Sequence, residues 1–179
     1  MRSLHLSKRK LQVIREVEGD ILLSQAQVIA HGIAPHDHFD TGLALALRER
    51  WPSMVRDYRH AIHGKPLAPG EIWMWRGVDA AGSTRGIVNL LTQDMLHDGP
   101  SAKPGKATTE NVSRALKALA KLAADAGLTS IALPRLATGV GGLEWNEVKP
   151  LVERHLGELD IPVLVYETYH KDQQADEGL

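Results

Sequence analysis

IALPRLATGVGGLEW, residues 131–145, reads as a short buried strand, a glycine loop and the opening of a helix. Ile131, Ala132 and Leu133 form an apolar run too short for a helix. Gly139, Gly141 and Gly142 follow within four positions. Glycine lacks a Cβ, so such a loop can take positive φ and bring backbone N–H groups close to a ligand. Beyond Trp145, the apolar residues Val148, Leu151, Val152 and Leu156 recur at helical spacing. Free N–H groups and the positive end of a helix both favour an anion, phosphate above all. A bare tight turn would leave the same pattern, and the glycines alone do not separate the two.

A second stretch repeats the logic. VIAHGIAPHDHFDTGLALA, residues 28–46, gives a strand over 28–31, a polar loop, and Gly42 opening the apolar run 43–47. Two strand–glycine–helix corners in one small domain suggest a diphosphate held between two loops. Neither loop carries Gly-Lys-Ser/Thr and neither is GxGxxG, so the common nucleotide-binding fingerprints are excluded.

Composition narrows the class. A chain of 179 residues is read as one domain, 1–170, with a core and a polar, disordered tail over 171–179. The net charge of −1 provides no broad basic field for nucleic acid. Cysteine is absent, which excludes disulfides and thiolate zinc sites and fits a cytoplasmic protein. No apolar run approaches the ~18 residues of a membrane span. The first ten residues, MRSLHLSKRK, lack an apolar stretch and read as a solvated lead-in. Nothing in the pattern marks an interface, so a monomer is expected.

Along the chain, 11–17 alternates as a first strand that ends at Gly19-Asp20, ahead of Ile21. Asp20 can cap the next segment or accept from an adenine amino group; locally, the cap is the expected role. His31 ends the second strand on the side where open α/β sheets bind ligands. In the loop 35–41, His36, Asp37, His38 and Asp40 could mimic a metal site. H-x-H is a weak pattern, so a hydrogen-bonding ligand loop is the reading, with no metal and no cofactor. Helices follow over 42–50 and from Pro52 to Gly64. Strands follow at 71–76 and 86–92, with Gln93 just beyond on the ligand side. The stretch 94–106, rich in Pro and Gly, reads as a loop forming a lid or rim, with Lys103 and Lys106 as the basic residues nearest a phosphate. The helix 108–126 precedes the opening stretch, and 162–167 is the last strand, with Tyr166 and Tyr169 as aromatic walls for a base.

Four features in this order resemble the macrodomain, the ADP-ribose-binding module, over about 13–166. They are Ile29-Ala30-His31; Thr41-Gly42-Leu43-Ala44; Leu133-Pro134-Arg135 with Gly139 and Leu143-Glu144-Trp145; and the closing strand 163–167. The details look most like the branch of chromatin-remodeller macrodomains, terminal ADP-ribose hydrolases and antitoxins that remove ADP-ribose from DNA. The resemblance implies an α/β fold: a three-layer α/β/α sandwich around a mixed, mostly parallel sheet. It implies that Asp20 and Ile21 meet the adenine, with Tyr166 near it. Thr41, Gly42 and Leu43, together with Ala137, Thr138, Gly139, Val140, Gly141 and Gly142, would hold the diphosphate. His31, Gln93 and the loop 35–40 would border the distal ribose.

The chain departs from the lysine-type hydrolases of that branch at two positions. Gln93 stands where they place a nucleophilic lysine, and Gly141 where they place an aspartate. Glutamine cannot form the amine adduct with an opened ribose, and glycine cannot act as acid or base. The expected function is hydrolysis of an ADP-ribosyl linkage on protein or nucleic acid by water, with His31 and Asp40 as catalytic residues. The alternatives are a binding-only ADP-ribose reader and a phosphatase for ADP-ribose 1″-phosphate.

Overall fold

Period-two alternation divides the core. In the computed structural model, which describes residues 14–96 and 103–179, β2 (Val28–Ile33) turns Ile29 and Ile33 to one face and Val28 and Ala30 to the other. The strand β4 (Thr84–Leu91) does the same with Ile87 and Leu91 against Val88 and Leu90. A sheet apolar on both faces must be covered on both. The helices α1 (Gly42–Arg50) and α2 (Pro52–Gly64) bury Leu47, Met54, Val55 and Tyr58 on the first face. On the second, α3 (Thr109–Ala126) lays down Val112, Ala115, Leu116, Leu119 and Ala123, and α4 (Trp145–Leu156) adds Val148, Val152 and Leu156. The helical stripe expected after Trp145 is the one buried, save that Leu151 is only partly covered.

The remaining strands are β1 (Ile14–Gly19), β3 (Ile72–Val78), β7 (Ile131–Pro134) and β8 (Val163–Tyr169). The six-stranded sheet runs β1-β8-β7-β2-β4-β3, and only β3 is antiparallel. This is the mixed, mostly parallel three-layer α/β/α architecture expected from sequence. The five parallel strands end at one edge, so Gly19, Ile33, Leu91, Pro134 and Tyr169 all arrive on the same side. Loops leaving that edge form the site.

Two expectations are corrected. The two ends of 94–106 are not loop: β5 (Gln93–Met95) pairs antiparallel with β6 (Pro104–Ala107), making a two-stranded ribbon, and the expected lid or rim over 97–102 lies outside the described residues. The segment 171–179 is not a free tail. It lies against the ends of β1 and β8, with Ala175 buried and Glu177 in three side-chain hydrogen bonds. The lead-in 1–10 and the start of the expected strand 11–17 lie outside the described residues.

Candidate functional site

The cleft at the strand ends has two lobes. An apolar lobe of about 430 Å³ is walled by Gly19, Ile21, Leu22, Ala46, Tyr166 and Tyr169. A polar lobe of about 620 Å³ includes His31, Asp37, Asp40, Thr41, Thr92, Gln93 and the loop residues Ala137, Gly139, Val140 and Gly141. The lobes meet at Gly42, Leu43 and Pro134, which line both. An elongated ligand with an apolar planar end and a polar end would fit this division.

The two glycine corners differ in how they treat an anion. The helix α1 starts at Gly42, with φ +57° and open space where a Cβ would stand, and Thr41 supplies no side-chain cap. Its first N–H groups therefore have no side-chain cap, and the residues that carry them, Gly42 and Leu43, lie at the junction of the lobes. The helix α4 is closed instead. Glu144 and Glu147 form a capping box, with Glu147 Oε2 accepting from Glu144 N at 3.3 Å. Two carboxylates at that end repel phosphate, so the expected contribution of the second helix end is corrected. What remains at the second corner is the loop backbone.

That loop is held in a bent state. Ala137 sits at φ +63°, a region disfavoured for any residue with a Cβ, and Gly142 at φ +79°. Gly142 N donates to Gly139 O at 3.1 Å and Leu143 N to Ala137 O at 2.9 Å. Ala107 N on β6 donates to Gly141 O at 3.0 Å, tying the ribbon to the loop. Thr138 turns its hydroxyl to Arg135 O at 2.8 Å, so it shapes the loop rather than lining the lobe. Gly142 likewise lies outside the lining. Arg135 borders the polar lobe, paired with Glu167 at 2.9 Å and stacked 5.5 Å over Trp145.

On the opposite wall, the loop after β2 is folded by Asp37, whose carboxylate accepts from Ala34 N at 3.0 Å and Phe39 N at 2.8 Å. Tyr58 O–H donates to Pro35 O at 2.6 Å, and Phe39 takes φ +53°. Asp40 is exposed at the lobe, and its carboxylate accepts no hydrogen bond among the described residues. Among those residues no group of three or more His, Asp or Glu is arranged to hold a metal ion. His31 is 2 % exposed, borders the lobe, and has Nε2 2.6 Å from Asn89 Oδ1. Burial holds its imidazole below the usual value, against the raising effects of Asn89 and Asp37.

Gln93 lines the polar lobe with its side-chain nitrogen on Gly105 O at 2.9 Å. Beside it, Thr92 is buried in the lining with Oγ1 unpartnered. Lys103 also borders the lobe, and because it precedes β6 directly it is better placed than a residue of a plain loop. Asp20 caps the short 3-10 turn over Ile21–Leu23 through Leu22 N at 3.0 Å, as local reasoning expects, and its second oxygen accepts from Asp172 N at 3.0 Å. It backs the apolar lobe without lining it. Sequence reasoning passed over Thr92, Arg135 and Asn89 as site residues. Thr92 was findable from its place before Gln93; the Asn89 contact depends on the register of β2 with β4, which no local pattern carries.

A family model, Macro domain, matches residues 31–152. The chain is 26% identical over 157 residues to a DNA ADP-ribosyl transferase–DNA ADP-ribosyl glycohydrolase fusion protein of Thermosipho africanus, covering 84% of this chain and 40% of that protein. It is 29% identical over 157 residues to a DNA ADP-ribosyl glycohydrolase of Thermus aquaticus, covering 87% of this chain and 41% of that one. The chain thus spans about two-fifths of the length of these relatives. It is 31% identical over 154 residues to human ADP-ribose glycohydrolase OARD1, covering 86% of this chain and 90% of that protein. Among solved structures, the macrodomain of Thermus aquaticus DarG superposes with a TM-score of 0.73 at 28% identity, covering 86% of this chain and 97% of that one.

Proposed function

The chain belongs to the Macro domain family, and from that premise we propose that it binds ADP-ribose across the two lobes and hydrolyses an ADP-ribosyl linkage on protein or nucleic acid. The observation that carries this reading is the joined cleft: an apolar lobe with Tyr166, an uncapped helix end at Gly42, and a polar lobe holding His31 and Asp40. The base sits in the first lobe, and the diphosphate crosses Gly42 toward the loop 139–141. The distal ribose reaches His31, Asp40 and Gln93. The glycohydrolase names of the relatives at 26–31% identity support cleavage rather than binding alone.

The proposed route uses water and no lysine adduct. Gln93 is fixed by Gly105 and has no nucleophilic amine, and Gly141 has no side chain. Water attacks C1″ as the bond from C1″ to the acceptor breaks; Asp40, free of hydrogen-bond partners in the loop, orients the water, and neutral His31 takes its proton, which then passes to the departing acceptor. In this reading the chain acts as a cytoplasmic monomer. Calorimetry with ADP-ribose tests binding. Turnover of ADP-ribosylated DNA, ADP-ribosylated protein and ADP-ribose 1″-phosphate, measured side by side, tests the reaction. Binding with no turnover on any of the three would leave a reader; turnover of the 1″-phosphate alone would make it a phosphatase.

A further inference from the structure

The segment after β8 makes contacts that its polar composition does not explain. Glu177 is 7% exposed, and its carboxylate collects three donors: Ser24 O–H at 2.6 Å, Gln25 N at 2.8 Å and Tyr166 O–H at 2.9 Å. A buried carboxylate is costly unless its oxygens are satisfied, and here they are. Upstream in the same segment, Asp172 N donates to Asp20 Oδ2 at 3.0 Å, Asp20 N donates to Gln173 O at 2.7 Å, and His170 N donates to Gly19 O at 3.1 Å. Arg15 Nη1 donates to Glu177 O at 2.9 Å. Gly19 shows how closely the chain passes: a Cβ there would stand 2.8 Å from both Ala175 N and Gln173 O.

Two of these partners, Gly19 and Tyr166, are in the wall of the apolar lobe, and Asp20 stands directly behind it. Gly19, Ile21, Leu22 and Tyr166 line it, and Asp20 caps the turn that presents Ile21 and Leu22. We propose that residues 170–179 are a strap that holds the base-binding lobe in its ligand-accepting shape, with Glu177 and Asp172 as positioning residues. The inference rests on the ADP-ribose reading for the identity of the base. Without the strap, Tyr166 and Ser24 lose their acceptor, Asp20 loses one of its two donors, and a ligand must order these groups as it binds. The strap touches none of His31, Asp40 and Gln93, so it acts on affinity and not on the chemical step.

The test compares the full chain with a form ending at His170 and with Glu177→Gln, following melting temperature, turnover of an ADP-ribosylated substrate, its inhibition by AMP and by ribose 5-phosphate, and calorimetric affinity for ADP-ribose, AMP and ribose 5-phosphate. The shortened form should show KM raised about tenfold or more, as expected for losing hydrogen bonds to buried charged groups, with kcat within about twofold. AMP inhibition should weaken in step, and ribose 5-phosphate inhibition should hold. Glu177→Gln should move the same quantities in the same direction by less, which decides the matter if the shortened form does not fold. A folded shortened form with unchanged ADP-ribose and AMP affinity overturns the strap and leaves the proposed function standing. So does a loss shared equally by ribose 5-phosphate, or one falling on kcat. A full chain that binds ADP-ribose and cleaves nothing still decides the strap through the binding arms. One that binds neither ADP-ribose nor AMP overturns both readings.

Discussion

His31 and Asn89 face each other in register across β2 and β4, with Nε2 of the histidine 2.6 Å from Oδ1 of the asparagine. The asparagine nitrogen is engaged with Trp73 O at 3.4 Å and Met54 Sδ at 3.7 Å, so Asn89 presents its oxygen and the imidazole presents an N–H. This assigns the tautomer: Nε2 carries the proton and Nδ1 is the basic nitrogen. Burial keeps the ring neutral, which is the form a proton acceptor needs.

The same burial makes stability depend on pH. The folded pKa of His31 is lowered, so between that value and the ~6.5 of the unfolded chain the unfolded state binds a proton that the native state refuses. Stability should fall as pH drops below about 6.5. His155 is also held low, by burial first and then by Arg154 and Lys117, and acts in the same direction. Melting temperature measured from about pH 7 down to about pH 5.5 should fall less steeply in His31→Gln than in the wild type. Equal slopes would assign the effect to His155 and other groups.

Catalysis should depend on His31 and Asp40. His31→Gln and Asp40→Ala should each lower the rate on an ADP-ribosylated substrate by about 10²-fold or more, with ADP-ribose affinity changed much less. Lys103 borders the same lobe, so Lys103→Ala, alone and with Lys106→Ala, is the necessary control. Borohydride should trap no adduct. A trapped adduct, or a loss of activity confined to the lysine variants, would replace water by a lysine nucleophile.

The glycine loop predicts three different outcomes for one substitution. At Gly139 nothing lies within 4 Å of an added Cβ, so Gly139→Val should fold and lose ADP-ribose affinity by filling the lobe. At Gly141 an added Cβ would lie 2.6 Å from Ala137 O and 2.9 Å from Ala107 Cβ, so Gly141→Val should lower melting temperature as well. At Gly142 the obstacle is φ +79°, which a β-branched residue resists. Calorimetry and melting on the three variants separate these cases. Normal binding by Gly139→Val would remove the loop from the ligand site.

Asp20→Ala should lower both stability and affinity. The lost cap is worth about 0.5–2 kcal/mol, and in the proposed reading, where the adenine amino group reaches the carboxylate behind the lobe wall, the lost acceptor adds about 1.5–3 kcal/mol to the fall in affinity. A fall in melting temperature with ADP-ribose affinity intact would reduce Asp20 to its structural role.

What the sequence made legible was local. The apolar run before Pro134, the glycines at 139–142 and the switch to helical spacing after Trp145 appear where the structure has β7, the loop and α4. The closed end of α4 was equally local, in Glu144 and Glu147, yet the glycines drew the inference toward an open one. The ribbon β5–β6 was hidden because Pro104 and Gly105 look like loop residues; its pairing is made by Gln93 with Ala107 and Met95 with Pro104. The strap was hidden for a different reason. Asp172 and Glu177 look solvated in sequence, and their partners Asp20 and Ser24 lie 152 and 153 positions away. Of the site, His31 and the glycine corners could be read from spacing, and Thr92 from its place before Gln93, whereas Asn89 and Arg135 enter through register and turn geometry.

Phe39 and Ala137, one in each loop, both hold left-handed backbone without being glycine. Such a conformation costs on the order of 1–3 kcal/mol per residue in isolation and persists because the surroundings over-determine it. The surroundings therefore hold both loops bent, and little backbone freedom is left in them to lose. Calorimetrically, association with a diphosphate ligand should be dominated by favourable enthalpy, with only a small entropic penalty from the loops. Ala137→Gly should reverse that balance: the backbone strain relaxes, the free loop gains configurations, and the entropic penalty of binding rises.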